Sequence, residues 1–330
     1  MSVPSRVAGS RRRMLLVVVA GSLIVTAILG VAFFSSESGR DGGDCKVVGC
    51  TSTIPLENVF PGINTSVAIA ADGDTAFIVS NQSLSHDTKF SLNVYSLAQR
   101  REIARRVLAL PAPAYSLAVS PQGDLAAIVL DYMANQPIRL IRVADGTQVG
   151  TIPDPISIQL RFSSDGRVLF TGFTERHAWR VPEGTPWDGT VPPGGFDTDI
   201  DDDIAKVTTW SGDVTVTWHR RNDKLSVMRA AGSPAQVIAD LAHDPAFAAW
   251  RSKRVRLKLS PDEATVAVVW PDELGSRISL WRLADGAHLR TVTVSGRVDS
   301  QIAIAPGSRR FVVVRNFSLT RSELTAFDLP

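Results

Sequence analysis

Cysteine and histidine are scarce in this chain, and the usual catalytic signatures are missing. Its 330 residues contain two cysteines and five histidines. The histidines (His86, His177, His219, His243, His288) are scattered, with none placed two or four residues from another. That spacing excludes the paired-histidine metal motifs of zinc peptidases, and there is no H-E-x-x-H, G-x-S-x-G, S-x-x-K or Walker-type glycine loop. Two cysteines cannot staple a disulfide-rich scaffold. Cys45 and Cys50, set among Gly39, Gly42, Gly43 and Gly49, suit one local disulfide that stiffens a linker if the compartment is oxidising. Neither follows an apolar segment as a lipid-attachment cysteine would.

The basic balance is equally local. The formal charge is +2, but Arg6, Arg11, Arg12 and Arg13 precede every acidic residue. Setting those four aside leaves 31 basic residues against 33 acidic, so the body of the chain carries no basic signature for nucleic acid. Behind the arginines, Met14–Phe34 is a run of 21 uncharged residues, long enough to cross the roughly 30 Å hydrocarbon layer as a helix. Arginines on its leading side place residues 1–13 in the cytoplasm and everything after Phe34 outside it. The expected organisation is a basic tail (1–13), a transmembrane signal anchor (14–34), a linker with the cysteine pair (35–52) and a folded domain (53–330). Cleavage near Gly30-Val31-Ala32, releasing a soluble envelope protein, is the competing reading.

What is abundant is repetition. A tight turn between two apolar runs recurs at Ala71-Asp72-Gly73-Asp74, Ser120-Pro121-Gln122-Gly123, Ser163-Ser164-Asp165-Gly166, Ser211-Gly212-Asp213, Ser260-Pro261-Asp262-Glu263 and Ala305-Pro306-Gly307-Ser308. Each is followed by an apolar anchor, at Tyr95, Ile141, Trp179, Met228, Trp281 and Phe327, with a mean period of about 46 residues. Runs such as Leu125–Leu130 and Phe311–Val314, short and bounded by turn residues, read as strands buried on both faces. Asp145-Gly146 and Asp285-Gly286 suit two-residue hairpins with positive φ at both positions. Four-stranded units of this kind must stack to bury their faces, so the expected fold is an all-β, six-bladed propeller preceded by one transmembrane helix.

Trp281-Arg282-Leu283-Ala284-Asp285-Gly286 together with Ser260-Pro261-Asp262 resembles the bacterial WD40-like repeat of TolB- and YVTN-like propellers. The resemblance covers most of residues 53–330 and implies a protein-binding ring. Trp281-Arg282 and Trp179-Arg180 stand where that family has Trp-Asp, and no repeat holds its Gly-His pair. Both departures count against the family's buried Asp–His–Ser/Thr–Trp network in every blade.

The chain stops just past a third strand, at Pro330, so the sixth blade lacks an outer strand of its own. Thr53–Val59 has the register to supply it, with Pro55 tolerated at an outer edge. Long connections, Ser80–Ser91, Asp131–Pro137, Pro182–Ile204, Leu241–Ser252 and Pro271–Arg277, gather on the face opposite the tight turns. Trp187, Phe196, Phe247, Trp250 and Arg251 on that face are the candidate partner-binding residues. Asp197, Asp199 and Asp201 alternate as calcium-loop ligands do, but the Gly and Glu that would complete an EF-hand are absent.

The functional expectation is a membrane-tethered, extracytoplasmic scaffold that binds a protein of the cell envelope, without a cofactor. A calcium-dependent propeller hydrolase or lyase is the alternative. N-terminal sequencing of membrane-extracted protein should find the anchor still attached, and a mature start near Phe33 would overturn that expectation.

Overall fold

Alternating apolar strands with one residue to each turn position leave the chain little choice but to pleat and return. The computed structural model describes residues 50–56, 66–81, 90–130, 135–154, 159–172, 176–191, 197–201, 204–209, 213–219, 224–229, 234, 236–240, 255–272, 275–296, 298, 302–307, 309–318 and 321–330. The chain divides into two units, Met1–Asp41 and Gly42–Pro330, and all the described residues belong to the second. Residues 14–34 lie outside them. Among the described residues, no helix is long and apolar enough to cross a membrane.

Six antiparallel sheets follow one another along the chain as propeller blades. The first holds β2 (Ser66–Ile69), β3 (Thr75–Asn81), β4 (Phe90–Ser96) and β5 (Arg101–Leu108). The second holds β6 (Ala114–Val119), β7 (Leu125–Leu130), β8 (Ile138–Arg142) and β9 (Gln148–Ile152). The third holds β10 (Gln159–Phe162), β11 (Val168–Gly172), β12 (Arg176–Arg180) and β13 (Thr185–Pro186). In the fourth, β15 (Ile204–Thr208), β16 (Val214–His219), β17 (Lys224–Arg229) and β18 (Gln236–Asp240) are joined by an extra strand, β14 (Asp197–Asp201). The fifth holds β19 (Arg256–Leu259), β20 (Thr265–Asp272), β21 (Gly275–Arg282) and β22 (His288–Ser295). The sixth holds β23 (Ile302–Ile304), β24 (Arg310–Ser318) and β25 (Arg321–Asp328), and takes its outer strand, β1 (Cys50–Leu56), from the other end of the domain. All six sequence anchors fall on the third strand of their blade.

The ring is therefore closed by its two chain ends. β1 runs antiparallel to β25, with Thr53 opposite Thr325, Ile54 opposite Leu324 and Leu56 opposite Ser322. Pairing starts at Cys50, earlier than the expected Thr53, so the linker ends before the second cysteine. Cys50 is disulfide-bonded, and Cys45 lies outside the described residues. Pro55 sits exposed on the outer strand, where proline is tolerated because one edge needs no donor.

Three local expectations change. Asp145-Gly146 does not form a two-residue hairpin: positive φ falls on Gly146 (76°) and not on Asp145. The loop is longer, closed by Gly146 N–H donating to the Arg142 carbonyl and Arg142 N–H donating to Thr147. Asp145 serves as a cap, its carboxylate accepting from the Thr147 amide at 2.9 Å and from Arg142 Nη1 at 3.1 Å. The fifth blade repeats the arrangement at Arg282, Asp285, Gly286 and Ala287 (3.0 Å for both Asp285 contacts). The amides of Thr147 and Ala287 hold both aspartates below the usual carboxylate range. Pro271–Arg277 is a strand-to-strand hairpin rather than a long connection, since Asp272 pairs with Gly275. Pro182–Ile204 is interrupted by β13 and β14.

Between blades the core is apolar. Val207, Val216, Trp218 and Trp270 join the fourth blade to the fifth. Ile54, Ile78, Tyr95 and Leu324 join the sixth to the first, and Val313, Phe311 and Leu280 the fifth to the sixth. Phe77, Leu92 and Ile128 bind the first to the second, Leu140, Phe162 and Leu169 the second to the third. Among the described residues no such cluster fills the seam between the third and fourth blades.

Ile54 and Leu56 are 3% and 4% exposed, so β1 is held by packing as well as by its ladder. Ile54→Ala should cost about 2–4 kcal/mol, whereas Pro55→Ala on the exposed side should change stability by less than about 0.5 kcal/mol. Urea unfolding of the two variants measures the difference, and equal midpoints would show that the ring does not depend on its latch.

Candidate functional site

Propeller connections divide between two faces. The turns joining first to second and third to fourth strands emerge on one face, and the described ones are short, several of them bonded to one another. The Ala71 amide donates to the Pro121 carbonyl at 3.3 Å, and Gln122 Nε2 donates to the Asp165 carbonyl at 3.4 Å. The Gly307 amide donates to Asp262 Oδ2 at 2.8 Å, and Arg310 Nη1 donates to the Gly73 carbonyl at 3.2 Å. A face whose turns are spent on each other has little left to offer a ligand. The second-to-third turns and blade-to-blade crossovers emerge opposite, and that face is the candidate surface.

Of the residues expected there, only Trp187 has a described side chain. It is half-buried, edge-on to Phe170 (ring centroids 6.0 Å apart, 83° between planes), and its amide donates to the Ala178 carbonyl at 2.8 Å. It thus extends the third blade beyond β13 and lies on the side of that blade turned toward the fourth. Phe196, Phe247, Trp250 and Arg251 lie outside the described residues. Asp197, Asp199 and Asp201 lie on a strand rather than in a loop, with Asp197 opposite Val207 and Asp199 opposite Ala205. An ion-binding loop curls its ligands around a centre, whereas a strand sends alternate residues to one face; the alternation that suggested calcium is also the period of a strand.

Two side-chain clusters on this face carry no sequence motif. The first is a network in the seam between the second and third blades. Thr171, fully buried on β11, donates its hydroxyl to Asp154 Oδ2, and Trp179 Nε1 donates to Thr171 Oγ1 at 3.1 Å. His177 Nδ1 lies 3.0 Å from the same Asp154 oxygen. Asp, His, Thr and Trp thus meet in this blade despite the missing Gly-His pair, because the histidine comes from β12, two residues before the tryptophan. The sequence signal would have been the lone threonine closing an apolar run, Val168-Leu169-Phe170-Thr171, eight positions before Trp179. In the fifth blade Trp281 instead meets exposed His288 at 5.2 Å, whose Nε2 lies 2.8 Å from Thr291 Oγ1.

The second cluster caps the β24–β25 hairpin. Phe317 is 37% exposed, and the guanidinium carbons of Arg315 and Arg321 each lie 5.0 Å from its ring centroid. Both arginines share one carboxylate: Arg315 Nη2 donates to Glu323 Oε2 at 2.5 Å and Arg321 Nη2 to Glu323 Oε1 at 3.0 Å. Arg315 also donates to Ser295 Oγ at 3.2 Å, and its buried Nε has no hydrogen-bond acceptor. Burial pushes the Arg315 guanidinium down from its ordinary pKa, and Glu323 opposes that shift. The arrangement fixes an exposed aromatic ring between anchored cations, which is the composition of an interface anchor.

Thr171→Val leaves Asp154 and Trp179 Nε1 without their shared partner and should cost about 1–3 kcal/mol, while Thr171→Ser should recover most of it. Chemical denaturation of both variants reads this out, and equal loss in the two would mean that the methyl group, not the hydroxyl, matters.

No family model matches the sequence, and no curated protein matches it. Among solved structures, the chain is similar to one in the crystal structure of the mitotic checkpoint complex, with a TM-score of 0.55 and 11% identity. The match covers 89% of this chain and 99% of that one. At that identity the likeness is one of fold alone.

Proposed function

We propose that this chain is a binding scaffold whose partner is a protein of the cell envelope. The ring is held outside the cytoplasm by Met14–Phe34, with residues 1–13 on the cytoplasmic side. The observation that carries the binding role is the asymmetry of the two faces. One face spends its turns on inter-blade hydrogen bonds, and the other gathers the crossovers and presents Phe317 between Arg315 and Arg321. The tether follows from the hydropathy of Met14–Phe34 and the arginines ahead of it. In this role the ring supplies shape and anchor side chains rather than catalytic groups. The candidate anchors are Phe317 and Arg321 on the sixth blade, together with Phe247, Trp250 and Arg251, which follow the fourth blade in sequence.

Affinity capture from membranes with the full-length protein, followed by mass spectrometry, should recover a specific envelope protein. Phe317→Ala, Arg321→Ala and Trp250→Ala should each weaken its binding by about 1–3 kcal/mol without lowering the melting temperature. Recovery of no specific protein, or turnover of a generic ester or lactone panel by the purified chain, would overturn the scaffold reading.

A further inference from the structure

The outer strand of a blade packs one face on the next blade and turns the other to solvent. In the fifth blade Val292 and Val294 of β22 pack toward the sixth, and the other face carries Thr291, Thr293 and Ser295, all exposed. β5 of the first blade departs from that rule. Its Ala104 and Leu108 face the second blade, so the alternate residues Ile103, Arg105 and Val107 share the solvent side. Ile103 is 45% exposed and Val107 64%. Ile54 and Leu56 of the neighbouring β1 pack against Tyr95 and Leu97, one strand inward of that pair.

The strand is basic as well as apolar. Arg100, Arg101, Arg105 and Arg106 stand there against one acid, Glu102, which binds Arg105 at 2.6 Å. Arg101 Nε donates to Gln99 Oε1 at 3.1 Å and Arg106 Nε to the Val143 carbonyl at 3.4 Å, both neutral acceptors. The acids of the adjoining turns are held by other arginines, Asp74 by Arg310 at 3.7 Å and Asp145 by Arg142 at 3.1 Å. The strand therefore keeps a surplus of positive charge whatever its internal pairing. Its place in the ring is as telling. Arg100 Nη2 donates to the Thr51 carbonyl at 3.2 Å, so β5 begins beside the start of β1, where the chain arrives from Met14–Phe34. Residues 35–49, which lie between, bridge at most about 50 Å when fully extended.

We propose that the outer edge of the first blade is a membrane-contact surface. Ile103 and Val107 enter the headgroup layer of the bilayer that anchors the chain, and the arginines around them meet anionic lipid phosphates. Two other occupants fit less well. A second copy paired so that Ile103 meets Val107 would set Arg105 against its own counterpart. An added protein strand meets a bulged edge, because the register steps from Ala104 opposite Val94 to Glu102 opposite Tyr95 and leaves Ile103 unpaired. The choice of a membrane rests on the tether reading of Met14–Phe34; the exposure and charge of the strand do not.

The test places a bimane label at Val107→Cys in the full-length protein, in nanodiscs whose lipid is spin-labelled at the headgroup, and reads quenching. Quenching should be strong in equal parts phosphatidylcholine and phosphatidylglycerol, weaker in phosphatidylcholine alone, and reduced by salt. The same label at Thr293→Cys, on the corresponding face of the fifth blade, should stay unquenched. Arg101→Gln should weaken the contact about fivefold at an unchanged melting temperature, and Ile103→Ser should weaken it as well. Equal quenching at the two positions, or quenching indifferent to phosphatidylglycerol and to Arg101→Gln, would overturn the surface. Loss of envelope-protein capture in Ile103→Ser would also overturn it, since the edge would then serve a protein. An anchored chain whose Val107 label is unquenched removes the contact surface alone. A mature chain that has lost Met14–Phe34 and still co-sediments with vesicles of the mixed lipid removes the tether reading alone.

Discussion

A blade of four strands has two faces and no core, so every blade depends on the apolar side chains of its neighbours. That dependence makes ring closure the constraint from which the rest follows. An unclosed ring would leave two sheet faces in water. In the sixth blade it would also leave the edge of β25 with unpaired backbone groups. β1 meets both demands at once: it completes the ladder with Leu324 and Thr325 and buries Ile54 and Leu56 in the seam between the sixth and first blades. Because β1 and β25 come from opposite ends of the domain, the contact that closes the ring is also the one of greatest sequence separation.

Closure by packing explains why the two faces of the ring differ. On the turn face, each Asp or Gly meets a local geometric need and its neighbours' backbone, so that Gly73, Gly123 and Gly166 recur with φ between 69° and 76°. The crossover face carries the longer connections, where chain length is free to vary. Variation is tolerated where it does not cost a seam. The exposed Phe317 and its two arginines occur on that side.

Much of this was legible because it is local. The turn tetrapeptides, the apolar runs and the third-strand anchors are set by neighbours a few residues apart, and the missing outer strand could be read from where the last repeat ends. What was not legible depends on pairings between distant residues. Asp197–Asp201 looks like a loop because its side chains are acidic; its strand character comes from β15. Asp154, Thr171 and His177 come from a crossover and two strands, and no spacing announces that they meet at one carboxylate. The polar face of the fourth blade was written in the alternation Lys206, Thr208 and Thr215, Thr217. It became visible only once Val216 and Trp218 were seen to face the fifth blade.

The link between Arg161 and Glu263 shows what the seam between the third and fourth blades asks of the ring. Glu263 has φ of 59°, in the slot that glycine fills in the first three blades, and its amide donates to the Ser260 carbonyl as theirs do to their own turns. A non-glycine residue there costs about 1–2 kcal/mol, comparable to the roughly 1.5–3 kcal/mol that hydrogen bonds to a charged group contribute. Burial also lowers the Arg161 guanidinium pKa, with Glu263 and Asp262 acting against it. The contributions nearly cancel, so stability alone does not account for a glutamate in a glycine slot. What the contact does supply is position. It ties the third blade to the fifth on the turn face, past the fourth, at the one seam without an apolar cluster among the described residues.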